Sequence, residues 1–140
     1  MIKNNIFYCC ILFGIILIGC NSETSKNNIP KIESLNWQAF DQDIFTKTTA
    51  NKKFVLLDIG ANWCHWCHVM DDSTFADQNV KNYIGNNFVL AKADQDERPD
   101  LYAKYKKWGW PALIVFNEKG EEILKLIGYQ EKLKFVKALK

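Results

Sequence analysis

Apolar positions in this chain fall into blocks separated by short polar intervals, and the blocks change character along its length. Residues 6–18 are an almost unbroken apolar run behind the short positive start Met1-Ile2-Lys3, and residues 21–30 are polar, closing on Pro30. From about Ser34 the pattern is that of a folded domain. Leu35, Trp37, Phe40, Ile44 and Phe45 recur at roughly helical spacing and predict a first helix, punctuated by Asn51-Lys52-Lys53. Residues 54–59 are near-continuously apolar, which predicts a central strand covered on both faces, as parallel strands are; Asp58 is its one exception. A helix is expected to begin at Cys64, with a break at Asp71-Asp72-Ser73-Thr74, and a further helix over 77–84 ended by Gly85-Asn86-Asn87. Residues 88–93 predict a second strand, 94–99 a polar loop and 100–106 a short helix. Residues 112–116 and 121–127 predict a hairpin about Asn117-Glu118-Lys119-Gly120, and 131–139 a closing amphipathic helix. With the two helical stretches between the first two strands taken as one connection, the order α-β-α-β-α-β-β-α is an α/β layer architecture with a mixed sheet.

The first block is a targeting segment. Its apolar run of thirteen residues is short of the ~20 that a membrane-spanning helix needs, and Leu17-Ile18-Gly19-Cys20 ends it with small residues before a cysteine. Residues 1–19 therefore read as a secretory signal peptide. The tetrapeptide resembles the lipobox of bacterial lipoproteins, which implies a lipid on Cys20. Residues 20–33 then form a lipidated cysteine and flexible tether, and 34–140 the folded domain. An ordinary signal peptide with an incidental last cysteine is the alternative.

Composition narrows the function. A chain of 140 residues with 48% hydrophobic and 14% aromatic content can pack one core. Its net charge of +2 comes from scattered lysines and recommends no nucleic-acid partner. Of five cysteines, Cys9 and Cys10 lie in the leader and Cys20 at its end, leaving Cys64 and Cys67. So close a pair constrains little chain, so its use is chemistry before stability.

That pair sits in Ala61-Asn62-Trp63-Cys64-His65-Trp66-Cys67-His68-Val69-Met70, with both histidines and two of the five tryptophans. Two residues between cysteines let the sulfurs meet across the first turn of a helix as a disulfide or an open dithiol. A thiolate is the attacking species, and a free thiol pKa near ~8.5 falls to roughly 3.5–7.5 at a helix N-terminus or beside a cation. Cys64, at the helix start and expected to be exposed, is the attacking nucleophile. Cys67, one turn in and expected to be shielded, is the resolving thiol. His65 favours the thiolate when protonated, and His68 is divided between that role and a solvated or core position. Trp63 and Trp66 shield the sulfurs and offer an apolar docking surface.

These residues, with the strand before them and Tyr105-Lys106-Lys107-Trp108-Gly109-Trp110-Pro111 after them, make the chain resemble the thioredoxin superfamily over about residues 34–140. It is similar to a branch carrying C-H-W-C-H-V-M and a later Glu97-Arg98-Pro99-Asp100 segment; His65-Trp66 stands where thioredoxin has Gly-Pro. The resemblance implies a thioredoxin-like fold with a central mixed sheet flanked by helices; no cofactor or metal is expected. It makes Asp58, six residues before Cys64, the proton acceptor for Cys67. It also makes the Trp110–Pro111 bond cis and facing the cysteines, with the Trp110 backbone free to pair with an extended substrate.

The expected function is a membrane-tethered thiol-disulfide oxidoreductase of the bacterial cell envelope. It would act on exported protein thiols and disulfides or on a membrane redox partner. Two rivals share the motif. Cys64, Cys67 and the histidines could hold copper or zinc in a metal-delivery lipoprotein. Cys64 to His68 also spell the c-type haem attachment pattern C-x-x-C-H. Asp58 before the motif and a cis-proline after it are explained by thiol chemistry and not by haem.

Overall fold

The computed structural model describes residues 32–41 and 43–140. The leader, Cys20 and the tether as far as residue 31 lie outside the described residues.

The strand β2 (Phe54–Gly60) is the axis of a five-stranded sheet. It pairs in parallel with β3 (Phe88–Asp94) and antiparallel with β4 (Ala112–Phe116). The two-residue β1 (Gln38–Ala39) joins the outer edge of β3 in parallel, and β5 (Glu122–Ile127) joins β4 antiparallel, giving the order β1-β3-β2-β4-β5.

Alternation along β2 divides the interior into two cores. Val55, Leu57 and Ile59 enter one, with Ile44 of α1 (Ile44–Asn51) and Leu101 and Tyr105 of α4 (Pro99–Tyr105). Leu56 enters the other, with Val80 and Ile84 of α3 (Gln78–Asn87) and Phe135 of α5 (Lys132–Ala138). Met70 and Phe75, which follow α2 (His65–Val69), belong to this second core. At roughly 1.5–3 kcal/mol for each fully buried aliphatic side chain, Val55, Leu56, Leu57 and Ile59, all 0% exposed, anchor both layers. The second core is the one under the cysteines. Asp58 shares its face of β2.

Caps follow the sequence closely. The Asp77 carboxylate accepts the N–H groups of Asn79 and Val80 at the start of α3, and Glu131 does the same for Leu133 and Lys134 at α5. Pro99 opens α4, where its missing N–H is harmless.

Three predicted elements differ. The helix expected across Leu35 to Phe45 is instead β1 followed by a helix starting at Ile44. Leu35 and Trp37 pack on the second core and Phe40 and Phe45 on the first, so this apolar series straddles the sheet edge. The break expected at Asp71-Asp72-Ser73-Thr74 is a wider π-type turn (Met70–Thr74) that prolongs α2. The Ser73 hydroxyl donates to the Val69 carbonyl at 2.5 Å and the Thr74 hydroxyl to the Gln130 carbonyl at 2.6 Å. Gly85-Asn86-Asn87 does not end α3, because the Asn86 and Asn87 side-chain amides donate to the carbonyls of Asn82 and Tyr83 four residues back, each at 2.7 Å. At the other end, packed structure reaches Ile32, whose N–H donates to Asn82 Oδ1 at 3.0 Å and whose carbonyl accepts from Gln78 at 2.9 Å. Among the described residues, no helix is long and apolar enough to cross a membrane.

Candidate active site

The C-terminal end of β2 delivers the chain into the turn that carries the cysteines. Cys64 caps α2: its Sγ accepts the Cys67 N–H at 3.2 Å and its carbonyl accepts the His68 N–H at 3.3 Å. Cys64 and Cys67 are joined as a disulfide with Cα atoms 5.3 Å apart, within the range that a disulfide spans. The Trp110–Pro111 bond is cis. Pro111 directly precedes β4, whose Ala112 pairs with Ile59, so it lies at the disulfide's end of the sheet; its carbonyl accepts the Gly128 N–H at 2.8 Å.

The exposure of the two sulfur residues is the reverse of that expected. Cys64 is only 6% exposed and Cys67 is half-buried. The cause is a cavity of about 200 Å³ beside Cys67, lined also by Asp58, Gly60, His68, Asp71 and Lys92. Gly60 keeps it open: a Cβ there would lie 3.0 Å from Cys67 Sγ. What separates the two sulfurs is the capping position of Cys64 and the cavity position of Cys67, and not the exposure expected.

Asp58 is 7% exposed, and burial lifts its carboxyl from 3.8 to about 6. Lys92, its in-register partner on β3, opposes that rise from 3.4 Å, while Asp71 adds to it. The Lys92 ammonium is 2.5 Å from Asp71 and sits 5.0 Å from the ring centroid of Trp37 and 5.7 Å from that of Phe75. Asp58 Oδ1 has no hydrogen-bond partner although buried. Asp58 also lines the cavity beside Cys67, which is large enough to hold water. Lys92 and Asp71 were not anticipated. The signal for Lys92 was available, since Asp58 and Lys92 are the lone charges within residues 54–59 and 88–93.

Trp63 and Trp66, each next in sequence to one of the cysteines, meet different partners. Trp63 is 66% exposed and donates its indole N–H to Asp96 Oδ2 at 3.0 Å. Trp66 is 53% exposed, with its ring 5.3 Å from that of His65 and 5.9 Å from that of Tyr129. Tyr129 and Asp96 also went unanticipated, because they arrive from distant loops. The Trp110 side chain packs on the first core. His68 turns to the Asn62 carbonyl, 2.8 Å away. Among the described residues, no group of three or more His, Cys, Asp or Glu side chains is arranged to hold a metal ion.

The family model Thioredox_DsbH, described as a protein of unknown function (DUF255), matches residues 24–132. The chain belongs to this family. An uncharacterized protein of Caenorhabditis elegans is 34% identical over 88 residues, covering 57% of this chain and 12% of that protein. The thiol:disulfide interchange protein DsbD of Campylobacter jejuni is 35% identical over 98 residues, covering 67% of this chain and 16% of DsbD. The disulfide bond reductase DsbH of Chlamydia pneumoniae is 20% identical over 136 residues, covering 86% of this chain and 82% of DsbH. The chain thus spans under a fifth of the length of the first two relatives. The solution structure of a thioredoxin from Thermus thermophilus superposes with a TM-score of 0.67 at 24% identity, over 76% of this chain and 85% of that one. This Thioredox_DsbH member accordingly has a thioredoxin-like fold, with its C-x-x-C pair at Cys64 and Cys67.

Proposed function

We propose that this chain is a thiol-disulfide oxidoreductase working through Cys64 and Cys67. The observation that carries the reading is the pairing of a C-x-x-C disulfide at the start of α2 with the buried Asp58, in a cavity that Cys67 lines. Neither a structural disulfide nor a metal clip needs a carboxyl held near neutrality behind the second sulfur. The printed names of DsbD and DsbH describe the same chemistry in relatives.

In the reducing direction the Cys64 thiolate attacks a partner disulfide. One partner sulfur bonds to Cys64 and the other leaves as a thiolate. Cys67 then attacks Cys64 Sγ while its proton passes to Asp58, directly or through water in the cavity. The bond between Cys64 and the partner breaks, the second partner sulfur leaves, and the chain is left as the Cys64–Cys67 disulfide with two electrons passed to the partner. The same steps in reverse oxidise a partner dithiol. Trp63, Trp66 and the Trp110 backbone are the contact surface, and His65 favours the Cys64 thiolate when protonated.

The place of action we infer is the outer side of a bacterial membrane, with exported proteins or a membrane redox partner as substrates. The leader over residues 1–19 and the lipobox-like Leu17-Ile18-Gly19-Cys20 support it. Two or more acyl chains on Cys20 would hold the domain durably. Cys67→Ala tests the chemistry: it should accumulate a mixed disulfide between Cys64 and a partner protein, whereas Cys64→Ala should form none. If both variants trap partners equally, or neither does, the reading fails. Cys20→Ser should release the protein from the membrane fraction.

A further inference from the structure

Glu97-Arg98-Pro99-Asp100 has no part in the thiol chemistry, yet one of its side chains makes the most extensive set of polar contacts near the site. Arg98 Nη1 donates to the carbonyl of Phe40 at 2.5 Å, and its guanidinium lies 5.6 Å from the Phe40 ring centroid. Nε and Nη2 donate to the two oxygens of Asp100 at 2.9 and 2.6 Å. A single planar fork thereby ties the residue after β1 to the first turn of α4. The Asp100 pair alone could be a local staple. The bond to Phe40 joins separate parts of the fold and closes the loop between them.

That loop, residues 94–98, grips the active-site turn. Asp94 Oδ1 accepts the Asp96 N–H at 2.8 Å and the Asp94 carbonyl accepts that of Glu97 at 3.2 Å. The Gln95 N–H donates to the Gly60 carbonyl at 2.9 Å, and its buried side-chain amide donates to Asp96 Oδ1. The other Asp96 oxygen accepts the Trp63 indole N–H. Both oxygens of Asp96 are thus committed, and Trp63 is the residue next to Cys64.

We propose that Arg98 is a positioning residue for the redox site. By clamping loop 94–98 between β1 and α4, it holds the Asp96 carboxylate where it orients the Trp63 indole beside Cys64. The indole is highly exposed, so without that bond nothing else in the described contacts fixes the face it presents to a partner polypeptide. The bidentate fork is required, because a lysine reaches the Phe40 carbonyl as a point donor but cannot span both Asp100 oxygens.

The test is an indole N–H spectrum of the protein, with Trp63 assigned through Trp63→Phe and the bonded state calibrated by Asp96→Ala. Arg98→Ala should move the Trp63 indole signal toward its Asp96→Ala position. Its hydrogen exchange should quicken on the order of tenfold, the factor for one charge-assisted hydrogen bond. The Trp66 signal should stay in place, and Arg98→Lys should fall between. Asp100→Ala should reproduce the effect and decides the matter alone if Arg98→Ala does not fold. A Trp63 indole unmoved in every folded variant overturns the proposal. Only a second arm rests on the thiol-exchange reading: the rate toward a protein disulfide should drop several-fold in Arg98→Ala and recover in part in Arg98→Lys. Wild-type protein without any exchange would sink that reading and leave the indole result standing.

Discussion

The Lys92 ammonium lies 3.4 Å from the Asp58 carboxylate, on the neighbouring strand and in register with it. This pairing does not neutralise the effect of burial, because Lys92 is drawn more closely to Asp71 at 2.5 Å. One ammonium shared by two carboxylates leaves the buried one partly uncompensated. Asp58 therefore holds its proton up to about pH 6.

A stability difference between acid and mild alkali follows. The folded form of Asp58 binds its proton more tightly than the unfolded chain, so the stability of the protein falls as pH rises from about 4 to about 6, and the loss is complete above that window. At about 1.4 kcal/mol per tenfold change in proton affinity, the loss is on the order of 2–3 kcal/mol. Asp58→Asn removes the charge and keeps the shape. Urea denaturation should find the variant more stable than wild type at pH 8 by about 1–3 kcal/mol and no more stable at pH 4. An equal gain at both pH values would show that the carboxylate is not the cause.

Lys92 and Asp71 should tune the resolving step in opposite directions. Asp58 must be ionised to take the Cys67 proton, so the rate of mixed-disulfide resolution should fall below a midpoint near pH 6. Lys92→Met removes the group that lowers the Asp58 pKa, and the midpoint should move to higher pH. Asp71→Asn removes a group that raises it, and the midpoint should move lower. Stopped-flow pH profiles of the three proteins check this. Shifts of the same sign in both variants would contradict the arrangement.

Gly60 should be a redox determinant. A Cβ at this position would meet Cys67 Sγ at 3.0 Å, and Cys67 cannot turn away while it is bonded to Cys64. Overpacking of this kind costs about 1–3 kcal/mol. Reduction frees the Cys67 side chain to rotate, so Gly60→Ala should penalise the disulfide form more than the dithiol. The pair should become easier to reduce, its potential rising by about 30 mV for each ~1.4 kcal/mol. An unchanged or lower potential would place the strain elsewhere.

Much of this site was legible because its signals are local. A charge inside an apolar run marks Asp58 and the C-x-x-C spacing marks the disulfide, whereas the cis bond before Pro111 came only with the resemblance to the thioredoxin superfamily. What escaped depends on partners distant in sequence. β1 is two residues long and exists because the outer edge of β3 accepts it, which no periodicity within residues 35–45 records. Polar Asp71 to Thr74 read as a break, whereas the Ser73 hydroxyl bonds back along the helix to the Val69 carbonyl, the Thr74 hydroxyl ties across to that of Gln130, and Asp71 is brought to Lys92. Tyr129 and Asp96 reach the tryptophans only through the register of β4 with β5 and the turn after β3. The exposure of Cys67 depends on the cavity beside Gly60, a feature of packing and not of pattern.

The most direct test of the proposed activity is an equilibrium titration of the Cys64–Cys67 pair against a glutathione buffer, using metal-free protein. A single reversible two-electron couple is expected within the roughly −270 to −120 mV spanned by thioredoxin-like proteins. Its position would say whether the protein mainly gives or takes electrons. The absence of any reversible couple would contradict the account.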